Sequence, residues 1–167
     1  MNVNKRLLSC LLTPLLLIGC SNQNSCIIKE KTFFLVMTNI QYFPEEYINK
    51  NIELDCFTYS VMDIHEKEYI CGVRKCTAGF GCKCGKDTVI GFILNYDGDI
   101  PAPKNQYENT NEKSWIHIGG QLSSIEKTNI QIYSTDGQVE EVEFLSFDVS
   151  TLEEISDYSN LAYFVSK

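Results

Sequence analysis

Arginine is almost absent from this sequence, which contains only Arg6 and Arg74. The formal net charge is −8, and removal of residues 1–19, which carry Lys5, Arg6 and no acidic residue, lowers it to −10. Proteins bind nucleic acids mainly through cationic side chains that neutralise phosphates. The composition therefore predicts no nucleic-acid partner. It favours binding of cations or of cationic partners. The alternative is an acidic face that contacts only solvent and has no partner.

Catalytic signatures are also missing. The sequence contains no G-x-S-x-G, no H-E-x-x-H and no phosphate-binding glycine loop. Its two histidines, His65 and His117, are far apart. His117 lies between Ile116 and Ile118, an alternation that predicts a position on the solvent side of a strand. His65 lies in a predicted polar turn. It is either an accessory metal ligand or a plain exposed residue. We therefore expect a protein that is not an enzyme.

The sequence has no apolar run as long as the roughly 20 residues that a membrane-spanning helix needs. Its apolar run, Leu7 to Ile18, is shorter and follows Lys5 and Arg6, as in a signal peptide. The pattern predicts a cleaved leader. The alternatives are an uncleaved membrane anchor and a buried N-terminal helix.

The end of this run predicts lipidation. Gly19 directly before Cys20 resembles the processing site of bacterial lipoproteins, where the signal peptide is cut before a cysteine that carries acyl chains such as palmitate. Two or more acyl chains, at about 0.8 kcal/mol per buried methylene, hold a protein stably on a membrane. We expect residues 1–19 to be the signal peptide. Cys20 would then anchor the protein on the extracytoplasmic side of the cell membrane or outer membrane.

The remaining sequence predicts one domain. Residues 20–31 are expected to form a polar tether behind the lipidated cysteine, and residues 32–167 to form the domain. Thr32 is placed to cap a helix, and Pro44 predicts a further short helical turn. The apolar positions of the first helix fall at helical spacing and are Phe33, Phe34, Val36, Met37 and Ile40.

Strand patterns dominate after residue 51. An alternation predicts the first strand through Ile52, Leu54 and Cys56, and further strands are expected at residues 69–73 and 89–94. Residues 97–113 are rich in asparagine, proline and charged side chains, so they predict a long polar loop.

The last third of the sequence predicts a bent strand and a hairpin. Trp115 begins a strand as a core residue, and Gly119-Gly120 predicts a bulge or a sharp bend in it. Asp136-Gly137 predicts the turn of a hairpin. Ser150 and Glu153 have capping-box spacing, which predicts a short C-terminal helix.

Together these elements predict a mainly β fold of the α+β class. The predicted architecture is a small OB-like β-barrel of about five strands, with a helix before the first strand and a short C-terminal helix. A β-sandwich is the alternative.

Cysteines form the densest chemical cluster of the sequence. Eight are present, of which Cys10 is expected to leave with the signal peptide and Cys20 to be lipidated. The others are Cys26, Cys56, Cys71, Cys76, Cys82 and Cys84. An even number of cysteines outside the cytosol predicts disulfides, and their pairing does not follow from sequence.

The loop from Cys71 to Asp87 is also a candidate metal site. Four sulfurs, from Cys71, Cys76, Cys82 and Cys84, suit tetrahedral zinc, and Asp87 adds a carboxylate. The spacing is not the paired C-x₂-C pattern of ordinary structural zinc sites. The alternative is a disulfide-bonded loop that involves Cys26 and Cys56 as further partners. Each such bridge would stabilise the fold by about 2–4 kcal/mol.

A thiol–disulfide redox protein is a third alternative for the same cysteines. Lys83, Lys86 and Arg74 are cations that would favour a reactive thiolate if they lay beside one of the thiols. The C-x-x-C motif on a thioredoxin-like background is missing, however.

Three segments together resemble a known family. They are residues 33–58, Cys82-Lys83-Cys84-Gly85-Lys86-Asp87 with the strand after it, and Ser114-Trp115-Ile116-His117-Ile118-Gly119-Gly120. In this order they are similar to the extracytoplasmic domain, of unknown function, of a family of permease subunits. Those members are held by transmembrane helices, whereas a lipid anchor is expected here. The resemblance implies an OB-like barrel and an association with membrane transport, including that of metal ions.

These observations give one leading hypothesis and two alternatives. The leading hypothesis is a non-enzymatic cell-envelope lipoprotein that acts as a binding or accessory component of a membrane transport system. An integral-membrane permease is its expected partner, and zinc its candidate metal. The alternatives are a disulfide-stapled envelope interaction module without metal and a thiol–disulfide redox protein.

Overall fold

The computed structural model describes residues 24–77, 87–134 and 137–165. Seven strands and one α-helix make up this part of the chain, with short 3-10 turns at Glu30–Thr32 and Pro44–Glu46. The helix is α1 (Phe33–Tyr42), and the strands are β1 (Ser25–Ile28), β2 (Asn51–Met62), β3 (Glu68–Thr77), β4 (Asp87–Asn95), β5 (Trp115–Tyr133), β6 (Val139–Glu154) and β7 (Phe164–Val165). The predicted mainly β fold of the α+β class is confirmed.

The strands form one sheet that is partially closed into a ring. Its order is β1-β2-β5-β6-β4-β3-β7, and β3 also pairs with β2. The pairs are antiparallel except β1 with β2, β4 with β6, and β3 with β7. Five strands, β2 to β6, thus pair in a circle, as in a partly open, OB-like arrangement rather than a fully closed barrel.

Helix α1 forms where the apolar spacing predicted it. Its buried positions are Phe33, Phe34, Val36, Met37 and Ile40. It ends before Phe43, whose φ of −133° is not helical, because the residue before a proline is sterically disfavoured in the helical region. Pro44 then starts the predicted short helical turn.

The buried apolar side chains form two clusters on opposite faces of the sheet. The helix-side cluster lies under α1 and β1 and includes Ile52, Leu54, Cys56, Cys76, Ile90, Phe92, Ile116, Ile118, Leu145 and Phe147. The groove-side cluster contains Phe57, Val61, Cys71, Val73, Ile93, Trp115, Ile130 and Phe144. Successive side chains of a strand point to opposite faces, so neighbours such as Cys56 and Phe57 belong to different clusters.

The predicted C-terminal helix is wrong. Residues 150–154 continue strand β6 and pair with β5, for example Thr151 with Gly119 and Glu153 with His117. Ser150 donates its hydroxyl to the Gly119 carbonyl at 3.0 Å and caps no helix. A long-range ladder therefore outweighs the local capping-box pattern, since each residue of the ladder gains backbone hydrogen bonds and Leu152 packs against the helix-side cluster.

The N-terminal boundary also differs from the predicted tether. Part of residues 20–31 is structured, because β1 pairs in parallel with the start of β2, Ser25 opposite Asn51. The predicted bulge is confirmed as a register shift between Gly119 and Gly120. In the described ranges, no helix is long and apolar enough to cross a membrane.

Candidate functional site

The structure separates Cys71 and Cys76, which were predicted to share a site. They lie five positions apart on β3, whose pairing with β4 is regular from Cys71 to Thr77. An odd separation puts their side chains on opposite faces of the strand. Cys71 accordingly belongs to the groove-side cluster and Cys76 to the helix-side cluster. One metal ion cannot bind both sulfurs in this arrangement.

The described cysteines are buried. Cys56 and Cys71 carry free thiols, and burial raises the pKa of each thiol to about 12. A thiolate is the metal ligand and the nucleophile, so both groups are held in their unreactive, protonated form at neutral pH. Cys26 is fully buried and disulfide-bonded, which removes its thiolate from metal binding.

The rest of the predicted metal set lies mostly outside the described residues. This applies to Cys82 and Cys84 and to the side chain of Asp87, whose backbone pairs with Thr77. The predicted lipidation site, Cys20, also lies outside the described residues. Among the residues that the structure describes, no group of three or more His, Cys, Asp or Glu side chains could hold a metal ion. A metal site in this loop therefore stays a prediction, and Cys71 cannot share an ion with Cys76 in it.

The two histidines lie apart in the fold. His117 projects from β5 opposite Asp55 of β2, and its Nδ1 lies 2.7 Å from the Asp55 Oδ1 on a half-exposed surface. His65 lies in the turn between β2 and β3, where its backbone N–H and that of Lys67 both donate to the Asp63 Oδ1. Neither histidine lines the groove described next.

An opening of the described surface lies where β4 and β6 separate. These parallel strands pair only from Phe92 with Leu145 to Asn95 with Asp148. Before that point β4 pairs only with β3, and β6 only with β5, in the described part of the chain. The two strands therefore splay apart, and each presents a backbone edge to the gap.

A groove of about 650 Å³ occupies this gap, and we call it the tyrosine groove. Strands β2 to β6 and the loop before β5 contribute to its wall. The lining residues are Tyr59, Ser60, Val61, Met62, Asp63, Lys75, Thr88, Val89, Gln106, Tyr107, Ile132, Tyr133, Glu140, Val142 and Phe144. Its floor is the groove-side cluster, through Val61 and Phe144. In OB folds the corresponding strands and turns form the ligand-binding face.

Tyrosine rings give the groove its chemistry. Tyr59 packs edge-on against Tyr107, with ring centroids 6.0 Å apart. Burial, with a smaller effect from Tyr107, raises the pKa of Tyr59 to about 12, so its hydroxyl stays neutral. Tyr107 and Tyr133 are 77% and 65% exposed. Exposed tyrosines offer large apolar contact area at low entropic cost and are enriched in binding sites.

The ionisable side chains that line the groove carry more negative than positive charge. Lys75 is its cation, and the Lys75 ammonium already donates to the carbonyls of Tyr107 and Glu108 at 3.2 and 3.3 Å. The carboxylate of Glu140 is exposed at the opposite wall. The lining thus carries two carboxylates, Asp63 and Glu140, against one ammonium, which also holds the loop.

The loop of residues 97–113 is fixed to the groove by side-chain contacts. Gln106 binds the backbone of Ser60 on β2 twice, as an acceptor at 2.8 Å and as a donor at 3.4 Å. Lys113 is buried, and its ammonium donates to the carbonyls of Asn105 and Glu108. These contacts hold Tyr107 over Tyr59 and form one wall of the groove.

One known protein family matches most of this chain. The model of one family, described as the DUF1980 C-terminal domain, matches residues 17–143. The chain belongs to the DUF1980 C-terminal domain family. The match includes α1 and β1 to β5 and ends at residue 143 within β6, so it takes in the groove-lining residues except Phe144. No curated protein and no solved structure matches this DUF1980 chain.

Sequence reasoning missed the tyrosine groove. Its tyrosines lie on β2, on the loop before β5 and at the end of β5, and no local motif links them. The available signal was the tyrosine content, nine residues in the sequence. Trp115, predicted as a core residue, is confirmed at 2% exposure.

Proposed function

We propose that this DUF1980 protein is a non-catalytic, lipid-anchored binding component of the cell envelope that assists a membrane transport system. The tyrosine groove would hold an extended extracytoplasmic segment of an integral-membrane permease. The observation that carries the proposal is the separation of β4 from β6 before Phe92 and Leu145, which leaves two strand edges beside an aromatic groove. The similarity to an extracytoplasmic domain of permease subunits supports the choice of partner.

The strand edges favour a polypeptide ligand. An extended peptide binds an exposed sheet edge through main-chain hydrogen bonds, while side-chain pockets select its sequence. Here the edges of β4 and β6 would supply the hydrogen bonds. Tyr59, Tyr107 and Phe144 would receive alternate apolar side chains of the bound segment.

Charge favours a segment that also carries lysine or arginine. Glu140 is exposed in the groove, and the charge of Lys75 is engaged by the loop. The protein as a whole is strongly acidic, with a formal charge of −8. Opposite charges on the two partners accelerate their encounter and select the correct pair.

The alternatives differ in their use of the cysteines. A disulfide-stapled interaction module without metal is favoured by the disulfide of Cys26. A thiol–disulfide redox role has less support, because the thiols of Cys56 and Cys71 are buried and have raised pKa values. Transport of metal ions would need a site in the cysteine-rich loop in which Cys71 and Cys76 do not share the ion.

The experiment is photo-crosslinking of the full lipoprotein in intact cells of its source. Tyr107→p-benzoylphenylalanine places the reactive group in the groove, and Leu35→p-benzoylphenylalanine places it on the exposed face of α1. We expect Tyr107 to attach to an extracytoplasmic segment of a multi-spanning membrane protein, and Leu35 not to do so. Attachment only to soluble envelope proteins, or equal attachment of the same protein at both positions, contradicts the proposal.

A charge variant tests the same site independently. Glu140→Lys should lower the yield of the Tyr107 adduct about fivefold, the factor that corresponds to a loss of ~1 kcal/mol. Glu126→Lys is the matched control, because Glu126 is also exposed on the β5–β6 hairpin but does not line the groove. An equal yield from both charge variants would show that the groove does not select a basic segment.

A further inference from the structure

The first described residues are fixed to the start of β2. The Asn51 N–H donates to the Asn24 carbonyl at 2.9 Å, and β1 continues alongside β2 from the pair Ser25 and Asn51. We call this part of the domain, residues 24–25 with residues 42–51, the anchor end. Because it is hydrogen-bonded into the sheet, the domain cannot swing freely about this point.

The chain between the expected lipidation site and the anchor end is short. Four residue steps separate Cys20 from Asn24, and they span at most about 14 Å when fully extended. The headgroup layer on each side of a bilayer is itself roughly 5–7 Å thick. An acylated Cys20 therefore holds Asn24, and with it the start of β2, within about two headgroup layers of the hydrocarbon boundary.

Two large aromatic side chains are exposed at this end. Tyr42 and Phe43 are 56% and 50% exposed, and their ring centroids are 6.4 Å apart. The backbone from Phe43 to Lys50 is wound into successive turns, closed by the hydrogen bonds of Glu46, Tyr47 and Lys50. At a rise of about 2 Å per residue, such turns keep Phe43 within about 16 Å of Asn51.

We infer that the anchor end is a membrane-contact surface, on which Phe43 and Tyr42 lie in the headgroup region of the bilayer that the acyl chains enter. Tyrosine favours this region because it combines an apolar ring with a polar hydroxyl, and the adjacent phenylalanine adds apolar area that can enter the boundary. The exposed Glu45 and Glu46 follow the two aromatic residues closely in the sequence and outnumber the one cation of the anchor end, Lys50. The surface therefore suits zwitterionic headgroups and is repelled by anionic ones. The inference depends on the lipidation of Cys20 and not on the partner proposed for the groove.

This contact would orient the tyrosine groove away from the bilayer. Tyr59 lies eight positions after Asn51 on β2, a distance of about 26 Å along a strand. With the anchor end on the membrane, the groove would lie at the opposite end of β2. A partner segment would have to project from the bilayer to reach it.

Tryptophan fluorescence tests the contact. The full lipoprotein, with its acyl chains verified by mass spectrometry, is reconstituted in phosphatidylcholine vesicles with brominated acyl chains. The native Trp115 is the one tryptophan of the sequence and is 2% exposed, so it supplies a constant background. Phe43→Trp should lose about half of its added emission, because an interfacial ring lies within reach of the quencher. Tyr42→Trp serves as a second variant should Phe43→Trp fold poorly.

Tyr107→Trp is the matched control, since Tyr107 is also an exposed aromatic residue but lines the groove. Its added emission should keep its intensity in the same vesicles. Equal quenching at the control and the anchor end, or no quenching of either anchor-end variant, overturns the inference. So does a mature chain without acyl groups on Cys20, because the length constraint then disappears. None of these outcomes bears on the adducts formed at the groove.

Discussion

The two apolar clusters are covered in different ways. The helix-side cluster is closed by regular elements, α1 and β1, whose side chains Phe33, Met37 and Cys26 are almost completely buried. The groove-side cluster is covered by irregular segments, residues 105–113 and 155–163, whereas Ile100, earlier in the first of these loops, packs against the helix-side cluster. Polar contacts of single side chains hold these segments in place, and beside them the tyrosine groove is open.

Asn111 shows how the irregular cover is held. Its side chain donates to the Leu161 carbonyl at 2.9 Å and accepts from the Tyr163 N–H at 2.8 Å, while its carbonyl accepts from the Trp115 indole. A few hydrogen bonds thus replace the ladder of a regular element. Regions of this kind open at lower free energy than packed helices and strands. This domain thus combines a rigid side with a more adaptable side, on which the tyrosine groove opens.

Arg74 connects the two sides, so its replacement should have the largest effect on stability. Its guanidinium lies 4.9 Å from the Phe33 ring and 4.5 Å from the Trp115 ring, and it pairs with Glu30 at 2.8 Å. It also donates to the carbonyls of Asp55 and Ala162. We expect Arg74→Met to lower the free energy of unfolding by about 3 kcal/mol, because it leaves the Glu30 carboxylate and the two carbonyls without their hydrogen-bond donor. Urea unfolding followed by Trp115 fluorescence measures the loss.

Lys75→Met is the matched control for this prediction. Lys75 is the next residue of β3, carries the same charge and points to the other face, where it contacts loop carbonyls at 3.2 Å or more. Its loss should cost less than about 1 kcal/mol, as for other partly exposed contacts. If both variants lose the same stability, Arg74 does not join the two clusters energetically.

Local sequence patterns predicted the regular side of the molecule better than the open side. Helix α1 and strand β2 follow from spacings of three to four and of two residues, because burial of one face imposes these periods. Strand β1 was missed, since Cys26 and Ile28 are too few residues to show an alternation. The end of β6 was predicted to be a helix. It is a strand because residues 151–154 pair with residues 116–119 of β5, which are distant in the sequence.

The candidate site was beyond local patterns for the same reason. The groove exists because the β4–β6 ladder begins only at Phe92 and Leu145. The register between two distant strands cannot be predicted from the sequence of either strand alone. The cysteine pattern suggested one cluster, yet strand alternation separates Cys71 from Cys76. That separation follows from their odd spacing once both are known to lie on one regular strand.

The buried thiols of Cys56 and Cys71 should cause the second-largest loss of stability, at alkaline pH, and each reports on one of the two clusters. Cys56 lies in the helix-side cluster and Cys71 in the groove-side cluster, and burial raises the pKa of each from 9.0 to about 12. Between these values the folded state binds more protons than the unfolded state, so stability falls as pH rises above about 9. Each thiol should contribute a loss of about 1.4 kcal/mol between pH 8 and pH 10. Guanidinium unfolding at these pH values, without reductant, measures it.

Single variants assign this loss. Cys56→Ala and Cys71→Ala should each remove about 1.4 kcal/mol of the alkaline loss, whatever their effect at pH 8. The range ends at pH 10 because Tyr59, whose pKa burial raises from 10.0 to about 12, adds its own loss of stability above pH 10. An unchanged pH dependence in Cys71→Ala would mean that water reaches this thiol and that the groove-side cluster is open down to β3.

Lys113 gives the smallest and most local test of the comparison. Burial and the nearby Lys75 charge lower the pKa of the Lys113 ammonium, which still holds the loop by donating to the carbonyls of Asn105 and Glu108. Lys113→Met should weaken this cover by ~1 kcal/mol, so amide hydrogen exchange in residues 105–113 should quicken about fivefold. Exchange in α1 should not change, because regular packing covers the helix-side cluster independently. If α1 exchanges faster as well, the two sides of the sheet form one cooperative unit, and the groove is as rigid as the rest of the domain.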